Sequence, residues 1–455
     1  TGPIPIMDHA LKMDDEMTYF PRNTFDQCVD FIVSDCQYGI DGALPMIYTN
    51  ASGTVAESLY GRATKAAAYA LKARVLLYAA SPLFNGNADY AKFANEDGTL
   101  LFAPKDDSKW GKAAAAAKEA IDKIEGSSYY GLYYSDEPDN GYRNYMELFL
   151  PSKKWNKEYI FARNQGTGYS DNIHQEKCMA ANGMGGWSGL CPTQELVDAY
   201  EMANGSTPII GYNADGTPII NGASGYSETG FAATAGKHYP AGVYNMYVGR
   251  EPRFYASINF NGQQWRGRQL EFWQGGKDGI NVSKVDYCCT GYLLRKTADE
   301  GVDVINGKGG MKEASILFRV GSLYLDYAEA LNEAEGPVDD VYKYVDAIRK
   351  RAGLPGLAKG LDKDKMRERI QHERQIELAF EAGHRYFDCH RWKIAEKTDN
   401  GYMHGMNITA TNKVDYSKRS TVGDSRVFEK KHYLFPIPQS EMDKRIGLVQ
   451  SPYWE

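Results

Sequence analysis

Two alanine-rich segments constrain the fold of this chain more than any other feature of its sequence. The stretch ATKAAAYALKARVLLYAA, from Ala63 to Ala80, has apolar side chains at helical spacing, and the Ser81-Pro82 pair ends it. A second segment begins near Trp110 and runs through WGKAAAAAKEAIDKI to Gly126. Because alanine side chains are small, helices of this composition can approach each other closely, as in antiparallel pairs. The sequence therefore predicts packed helices early in the chain.

Further helices are predicted on both sides of a long central region. Residues Thr24 to Asp41 have helical periodicity with Thr24 as a candidate cap, and Ala314 to Gly336 forms a later helical segment. VYKYVDAIRKRAGL and DKMRERIQHERQIELAFEAG follow it, with glycine and proline between them. Such pairs are similar to tetratricopeptide repeats of uneven spacing. The predicted fold class is mostly α, a helical-repeat scaffold with long loop-rich insertions and a few short strands.

The central region, from Ser127 to about Lys312, has a different character. It is rich in Gly, Asn, Ser, Thr and Tyr, with strand-like pieces such as EYIFAR and RFYASINF and one helix around TQELVDAYE. Two TPII units surround Asp215-Gly216, which predicts a hairpin turn. A loop-rich insertion of this length inside a helical protein usually carries function.

Composition excludes some partners. The formal net charge is −7, which argues against nucleic acid or an anionic membrane as the main partner, because phosphate contacts need a basic face. No apolar run reaches the roughly 18 residues of a membrane-spanning helix. The 33 tyrosines and 7 tryptophans favour half-apolar, wet ligands such as sugars. The seven cysteines show no zinc-binding spacing, and their pairing stays open.

The stretch EAGHRYFDCHRWK, from Glu381 to Lys393, crowds ionisable side chains together. On a single helix, Arg374, Glu377, Glu381 and Arg385 would form one stripe of alternating charge. An arginine one turn from each carboxylate lowers its pKa and makes it a poor general acid. We therefore expect a structural charge ladder here.

Neighbouring groups receive structural interpretations as well. His384 and His390 are six residues apart, so one helix would direct them to different faces, and a metal site is not expected. The helix that follows Ala314 carries a row of acids, which we expect to pair with the arginines of the later helix; they are Asp326, Glu329 and Glu333.

No cofactor is predicted. The loop DEPDNGYR, from Asp136 to Arg143, offers oxygen donors for calcium but lacks the 12-residue calcium-loop pattern, so a solvated turn is the preferred interpretation. Nucleotide-binding, hydrolase and zinc-protease motifs are absent from the sequence.

Several ordered blocks resemble the SusD/RagB family of outer-membrane nutrient-binding lipoproteins. These blocks are FRVGSLYLDYAEALNEAEG, AIRKRAGLPG, ERQIELAFEAGHRYFDCHRWK and YLFPIPQSEMDKRIGLVQSPYWE. The resemblance implies non-catalytic binding of a glycan (a peptide in some members) at the bacterial surface, as the lid of a SusC-like TonB-dependent transporter. It also implies a lipid anchor in an N-terminal region that normally precedes GPIPI. One SusD-like domain that lacks this usual N-terminal region is expected, divided into residues 1–126, 127–312 and 313–455.

Two loop regions supply the aromatic platforms and polar groups that sugars need. NGQQWRGRQLEFWQGGKDG follows the REPRF-like segment, where the family resemblance also places ligand-binding aromatics, and NQGTGYSDNIHQEKCMAANGMGGWSG lies upstream of it. The predicted ligand-binding residues are Trp273, Trp265, Gln264, Arg268 and Gln274 in the first region, and Tyr169, Asn172 and Trp187 in the second. For Trp187 a packing role is an equal alternative.

Three functions remain as hypotheses at this point. The first is delivery of an oligosaccharide to a transporter, and the second is a peptide-binding role in the same family. The third is a glycoside hydrolase, which would need two unpaired acids facing a cleft.

Overall fold

The computed structural model describes residues 2–8, 10, 19–150, 155–164, 169–306 and 314–454, with the backbone alone at 164 and 169–173. The helices of the described chain are α1 (Phe25–Asp41), α2 (Lys65–Ala80), α3 (Ser108–Gly126), α4 (Gly141–Leu148), α5 (Tyr169–Met179), α6 (Gln194–Ala199), α7 (Pro252–Ser257), α8 (Val320–Glu335), α9 (Asp339–Arg351), α10 (Lys363–Glu377), α11 (His384–Arg391), α12 (Ala395–Thr398), α13 (Lys413–Tyr416) and α14 (Gln439–Met442). The strands are β1 (Tyr159–Asn164), β2 (Ile209–Tyr212), β3 (Pro218–Ile220), β4 (Ile258–Phe260), β5 (Gln264–Trp265), β6 (Arg268–Gln269), β7 (Tyr292–Leu294), β8 (Ala314–Arg319), β9 (Gly401–Met406) and β10 (Arg419–Arg426). The mostly α fold class is confirmed.

A stack of helices forms the scaffold. Helix α1 packs on α2, α2 on α3, α3 on α8, and α8 on both α9 and α10. Alanines of α2 and α3 are buried where these helices meet, among them Ala66, Ala73, Ala113 and Ala117. The absence of larger side chains at these positions lets the helix backbones lie close together, as the sequence predicted.

Local signals set several helix ends. The Thr24 hydroxyl accepts a hydrogen bond from the Gln27 amide at 3.2 Å, and the Gln27 side chain accepts one from the Thr24 amide at 2.8 Å. This reciprocal capping box satisfies two of the unpaired amides at the start of α1. The predicted Thr24 cap is therefore confirmed.

No helix among the described residues is long and apolar enough to cross a membrane.

The strands form five antiparallel pairs of two strands: β1 with β8, β2 with β3, β4 with β7, β5 with β6, and β9 with β10. The hairpin predicted around Asp215-Gly216 is confirmed as β2–β3, and Gly216 has the positive φ (82°) that such a turn needs. Two predictions, one of a helix and one of a strand, were wrong. Residues 314–319 form β8 rather than the start of α8, and RFYAS lies in α7 before the chain becomes extended in β4.

The predicted single-helix charge ladder was also wrong. Helix α10 ends at Glu377, and Phe380, Ala382 and Gly383 all have positive φ before α11 starts at His384. The turn removes the regular spacing that would have linked Arg374 to Arg385. Arg385 is half-buried in α11, and Glu381 pairs instead with Arg319 and Lys296, both at 2.7 Å.

A buried ion-pair network replaces that ladder. Glu377 is fully buried and pairs with Arg319 at 2.9 Å, Arg253 at 3.1 Å and Arg351. Burial alone would raise the pKa of Glu377, but the surrounding cations lower it to about 2. Burial and the neighbouring cations also have opposite effects on Glu381, and its pKa is lowered to about 2. Both carboxylates are therefore ionised near neutral pH.

A second network contains the acidic row of α8. Arg374 donates to Asp326 at 2.6 Å and to Asp388 at 2.8 Å. Arg391 and the Trp392 indole both donate to Glu329, and Arg367 pairs with Glu333 at 2.6 Å. The predicted pairing of this acidic row with later basic residues is confirmed, with Arg391 of α11 as an additional partner.

Candidate functional site

The hairpin β5–β6 lies at the centre of the predicted ligand region. Its two connecting residues, Arg266 and Gly267, both have positive φ (43° and 86°), as a tight two-residue hairpin turn requires. Successive strand side chains point to opposite faces, so Gln264 is exposed whereas Trp265 is buried. This alternation decides which residues of the hairpin a ligand can reach.

Trp265 is a core residue, which contradicts its predicted role as an exposed binding platform. Its side chain is only 2% exposed and belongs to the hydrophobic cluster beneath the loops. The Arg295 guanidinium lies 4.9 Å from its ring centroid and that of Arg266 lies 5.5 Å away. Trp265 therefore supports two polar side chains and does not face a ligand.

A cavity of about 320 Å³ opens beside the outward face of Gln264. Tyr142 of α4 and His238 stack within it, with ring centroids 4.7 Å apart. Arg295, which directly follows β7, donates to the Tyr142 hydroxyl at 2.6 Å. The cavity is lined by Tyr142, residues 236–240, Gln263, Gln264 and Arg295. It combines aromatic faces with amide and guanidinium groups, and we refer to it as the Tyr142 cavity.

The short loop 236–240 holds its shape through a tight turn. The Gly236 amide donates to the Tyr239 carbonyl at 2.9 Å, and a β-carbon at Gly236 would lie 2.4 Å from the Tyr239 ring. His238 is half-buried, and burial together with nearby Lys237 and Arg295 lowers its pKa to about 4. His238 is therefore neutral near pH 7, with a ring nitrogen available as an acceptor.

Two buried polar atoms of the cavity lining have no hydrogen-bond partner among the described residues. They are the side-chain oxygen Oε1 of Gln263 and the Nε of Arg295. Gln263 is 6% exposed and Arg295 is 5% exposed. Leaving a buried donor or acceptor unpaired costs about 1–3 kcal/mol. One donor and one acceptor of residues that line the cavity thus remain unpaired.

A second cavity, of about 740 Å³, lies at the turn of the hairpin. Arg268 lines it and forms a bidentate pair with the buried Asp278, at 2.7 and 2.6 Å. Asp278 also accepts from the Glu271 amide, so the arginine holds the next loop in place. Glu300 lines this second cavity and pairs with Arg295 of the first at 2.8 Å. The two cavities are therefore linked through one ion pair.

Trp273 and Gln274 lie apart from these cavities. Trp273 is half-buried against the core beneath the loops, and the Lys413 ammonium is 5.3 Å from its ring centroid. Gln274 is exposed, and its amide donates to the Ala410 carbonyl at 2.9 Å. Neither residue lines the Tyr142 cavity. Their predicted contact with a ligand stays a prediction.

The second predicted region forms its own aromatic patch. Trp187 is 36% exposed and stacks on His174 with 5.2 Å between ring centroids, while the Lys177 ammonium lies 5.1 Å from the indole. The side chains of Tyr169 and Asn172 lie outside the described residues, although α5 begins at Tyr169. Trp187 is therefore placed at a surface, and its role stays a prediction.

Sequence reasoning missed most of the Tyr142 cavity, including Tyr142, His238, Tyr239 and Arg295. They come from three separate segments of the chain, which only the fold brings together. A usable signal was the cluster KHYP, which places a cation, a histidine and an aromatic inside a loop.

The acidic loop 136–143 uses its side chains internally. Asn140 accepts from the Arg143 amide at 3.2 Å and thereby caps α4. Asp136 and Glu137 both pair with Arg143, at 2.6 and 2.5 Å. Among the residues that the structure describes, no group of three or more His, Cys, Asp or Glu side chains is arranged to hold a metal ion.

Solved structures with a similar fold cover the chain from end to end. A protein designated BT4246 superimposes with a TM-score of 0.82 at 28% identity, over 100% of this chain and 80% of that one. A SusD-like protein from Bacteroides fragilis, BF3747, gives 0.71 at 28% identity over 100% and 76%. A second B. fragilis protein, BF0978, described as a SusD-like carbohydrate-binding protein, gives 0.68 at 21% identity over 97% and 74%, which shows a common fold.

Curated relatives match shorter segments. SusD-like protein P25 of Formosa agariphila is 42% identical over 82 residues, or 17% of this chain and 15% of that protein. SusD-like protein P2 of the same organism is 29% identical over 154 residues, or 31% of this chain and 26% of that protein. The family model for the SusD family matches residues 151–454, more than half of the chain. The chain belongs to the SusD family.

Proposed function

We propose that this chain binds carbohydrate in the Tyr142 cavity and delivers it to a SusC-like TonB-dependent transporter at the outer membrane, without catalysing a reaction. The observation that carries the proposal is the stacked Tyr142–His238 pair beside Gln264 and Arg295. Aromatic rings match the apolar face of a sugar ring, and amide or guanidinium groups match its hydroxyls.

The unpaired polar atoms of the cavity support a hydroxyl-bearing ligand. A sugar hydroxyl can donate to the Gln263 oxygen and can accept from the Arg295 Nε. Both atoms are shielded from solvent. A small side-chain movement on binding is therefore needed before a ligand can contact them. A purely apolar ligand would leave both of them unpaired.

A non-catalytic role agrees with the ionisation of Glu377 and Glu381. Glycoside hydrolysis needs one protonated carboxylic acid as a proton donor. The two closely spaced acids of the C-terminal stretch, Glu377 and Glu381, are buried in ion pairs, and their pKa values are lowered to about 2. At neutral pH neither can supply a proton.

The transporter partner and the surface location rest on family membership. SusD/RagB proteins, which this chain resembles in its ordered C-terminal blocks, act with a transporter and carry a lipid anchor. The similarity to the B. fragilis carbohydrate-binding protein BF0978 concerns the fold, so the choice of glycan over peptide depends on the cavity itself.

Affinity electrophoresis against a panel of soluble polysaccharides tests the proposal. We expect His238→Ala and Gln264→Ala to abolish the retention that the unaltered chain shows on its ligand, while thermal unfolding stays nearly unchanged. Tyr402→Ala is a suitable control, because Tyr402 is 53% exposed and does not line the cavity. Retention that survives both cavity substitutions would refute this placement, and loss in Trp273→Ala instead would favour the neighbouring loop.

A further inference from the structure

Two cysteines from distant parts of the chain meet beneath the ligand loops. The sulfur atoms of Cys191 and Cys288 lie 3.8 Å apart, although 97 residues separate them in the sequence. Cys191 precedes α6, and Cys288 precedes β7. The Leu294 amide donates to the Leu190 carbonyl at 2.9 Å, so a backbone hydrogen bond holds the two segments side by side.

The approach of these sulfurs is close to what a disulfide needs. A disulfide bond is about 2.05 Å long, so closure requires the sulfurs to move together by a little under 2 Å. Rotation about the Cα–Cβ bonds can supply that movement. The two thiols now donate to the carbonyls of Ser188 at 3.1 Å and Tyr292 at 2.9 Å, contacts that closure gives up.

Access differs among the neighbouring cysteines. Cys191 is half-buried, Cys288 is 2% exposed, and the adjacent Cys289 is exposed. Of the two cysteines that approach each other, Cys191 is therefore the more accessible to a small oxidant. The contact with Cys288 raises the pKa of the Cys191 thiol, a contact with Cys289 partly opposes this, and burial adds to the increase. The exchange reaction of Cys191 is therefore slow at neutral pH and faster in alkaline solution.

We infer that Cys191 and Cys288 form a disulfide when the chain meets a small disulfide oxidant such as oxidised glutathione. The Cys191 thiolate attacks the oxidant, forms a mixed disulfide and releases one thiol. Cys288 then loses its proton and attacks the Cys191 sulfur, which releases the second thiol. Two protein thiols are oxidised and one oxidant disulfide is reduced, so electrons and atoms balance.

The disulfide bond would restrain the segment that leads into the Tyr142 cavity. The segment after Cys288 continues through β7 directly into Arg295, which lines the Tyr142 cavity. A crosslink that closes a loop of this length restricts the unfolded chain strongly. We expect the oxidised form to melt about 4 °C above the reduced form.

The test treats the purified full chain with oxidised glutathione at pH 8.5 and maps the disulfide-linked peptides of the unreduced chain. We expect the mapping to link Cys191 to Cys288, whereas accessible thiols such as that of Cys289 carry at most a glutathione adduct. Cys191→Ser and Cys288→Ser should each abolish this link. Cys289→Ser is the matched control, because it removes the adjacent thiol and should leave the bond intact.

Three results would overturn the inference. They are the absence of a link between Cys191 and Cys288, a link that involves Cys289, and a Cys191→Ser variant in which Cys288 is still linked to another cysteine. Substitution of the buried Cys288 can disturb the core. The variant at the half-buried Cys191 is therefore sufficient to test whether the disulfide forms. Glycan binding is not needed for any of these measurements.

Discussion

The negative charge of Glu377 should contribute a measurable part of the stability of this fold. The side chain is fully buried, and its pKa is lowered from 4.5 to about 2 because the arginines around it outweigh the cost of burial. One pKa unit corresponds to about 1.4 kcal/mol, so the charged form is favoured by about 3 kcal/mol in the folded state. Glu377→Gln keeps the size of the side chain and removes the charge. We therefore expect it to lower the free energy of unfolding by about 3 kcal/mol at pH 7.

The same substitution predicts a pH dependence with a definite sign. The folded-state pKa of Glu377 lies below its unfolded value, so its contribution is fully present above about pH 4.5. That contribution is lost as the pH falls toward about 2. The difference in unfolding free energy between the unaltered chain and Glu377→Gln should therefore shrink over this window.

Urea unfolding, followed by tryptophan fluorescence and circular dichroism, measures both effects. Glu119→Gln is the matched control, because its carboxylate lies 3.4 Å from Lys72 at the surface and should change the free energy by less than about 1 kcal/mol. The reasoning fails if Glu377→Gln destabilises no more than Glu119→Gln. It fails equally if the difference between the two chains is the same at pH 7 and pH 3.

Two further substitutions test the packing around the site. Trp265→Ala removes a buried ring and should cost about 3–5 kcal/mol in urea unfolding, whereas the half-buried Trp273 should cost less when truncated; equal losses would contradict the burial described above. Gly141→Ala would place a β-carbon 2.3 Å from the Ala352 backbone and should lower the melting temperature through a loss of about 1–3 kcal/mol. Gly126→Ala is its control, because nothing lies within 4 Å of the added carbon, and a similar loss there would refute the steric explanation.

The sequence predicted the helical part of the fold because local signals determine it. Periodic alanines and the Thr24 cap act within one or two turns, and both are visible in a single sequence. The strand β8 could not be predicted in the same way. Its residues ASILFR resemble the start of a helix, but pairing with β1, some 150 residues upstream, holds them extended.

The candidate site was predicted only in part, for a related reason. The hairpin loop was identified, yet the pleat that turns Trp265 inward and Gln264 outward became clear only with the register of β5 and β6. Tyr142 and Arg295 lie about 150 residues apart and meet through a hydrogen bond that no local pattern encodes. The break after Glu377 was missed because Phe380 and Ala382 adopt a backbone conformation that such residues rarely adopt.

The buried charge network limits how this protein can be engineered. Arg253 and Lys296 come from the loop-rich region, whereas Glu377 ends α10 and Glu381 lies in the turn after it. Cutting out residues 127–312 as a separate binding module would leave charges of both signs unpaired at the cut surface. To give this scaffold a new ligand specificity, only outer loops such as 236–240 should therefore be exchanged. The buried ion pairs between the loop-rich region and the C-terminal part should be left unchanged.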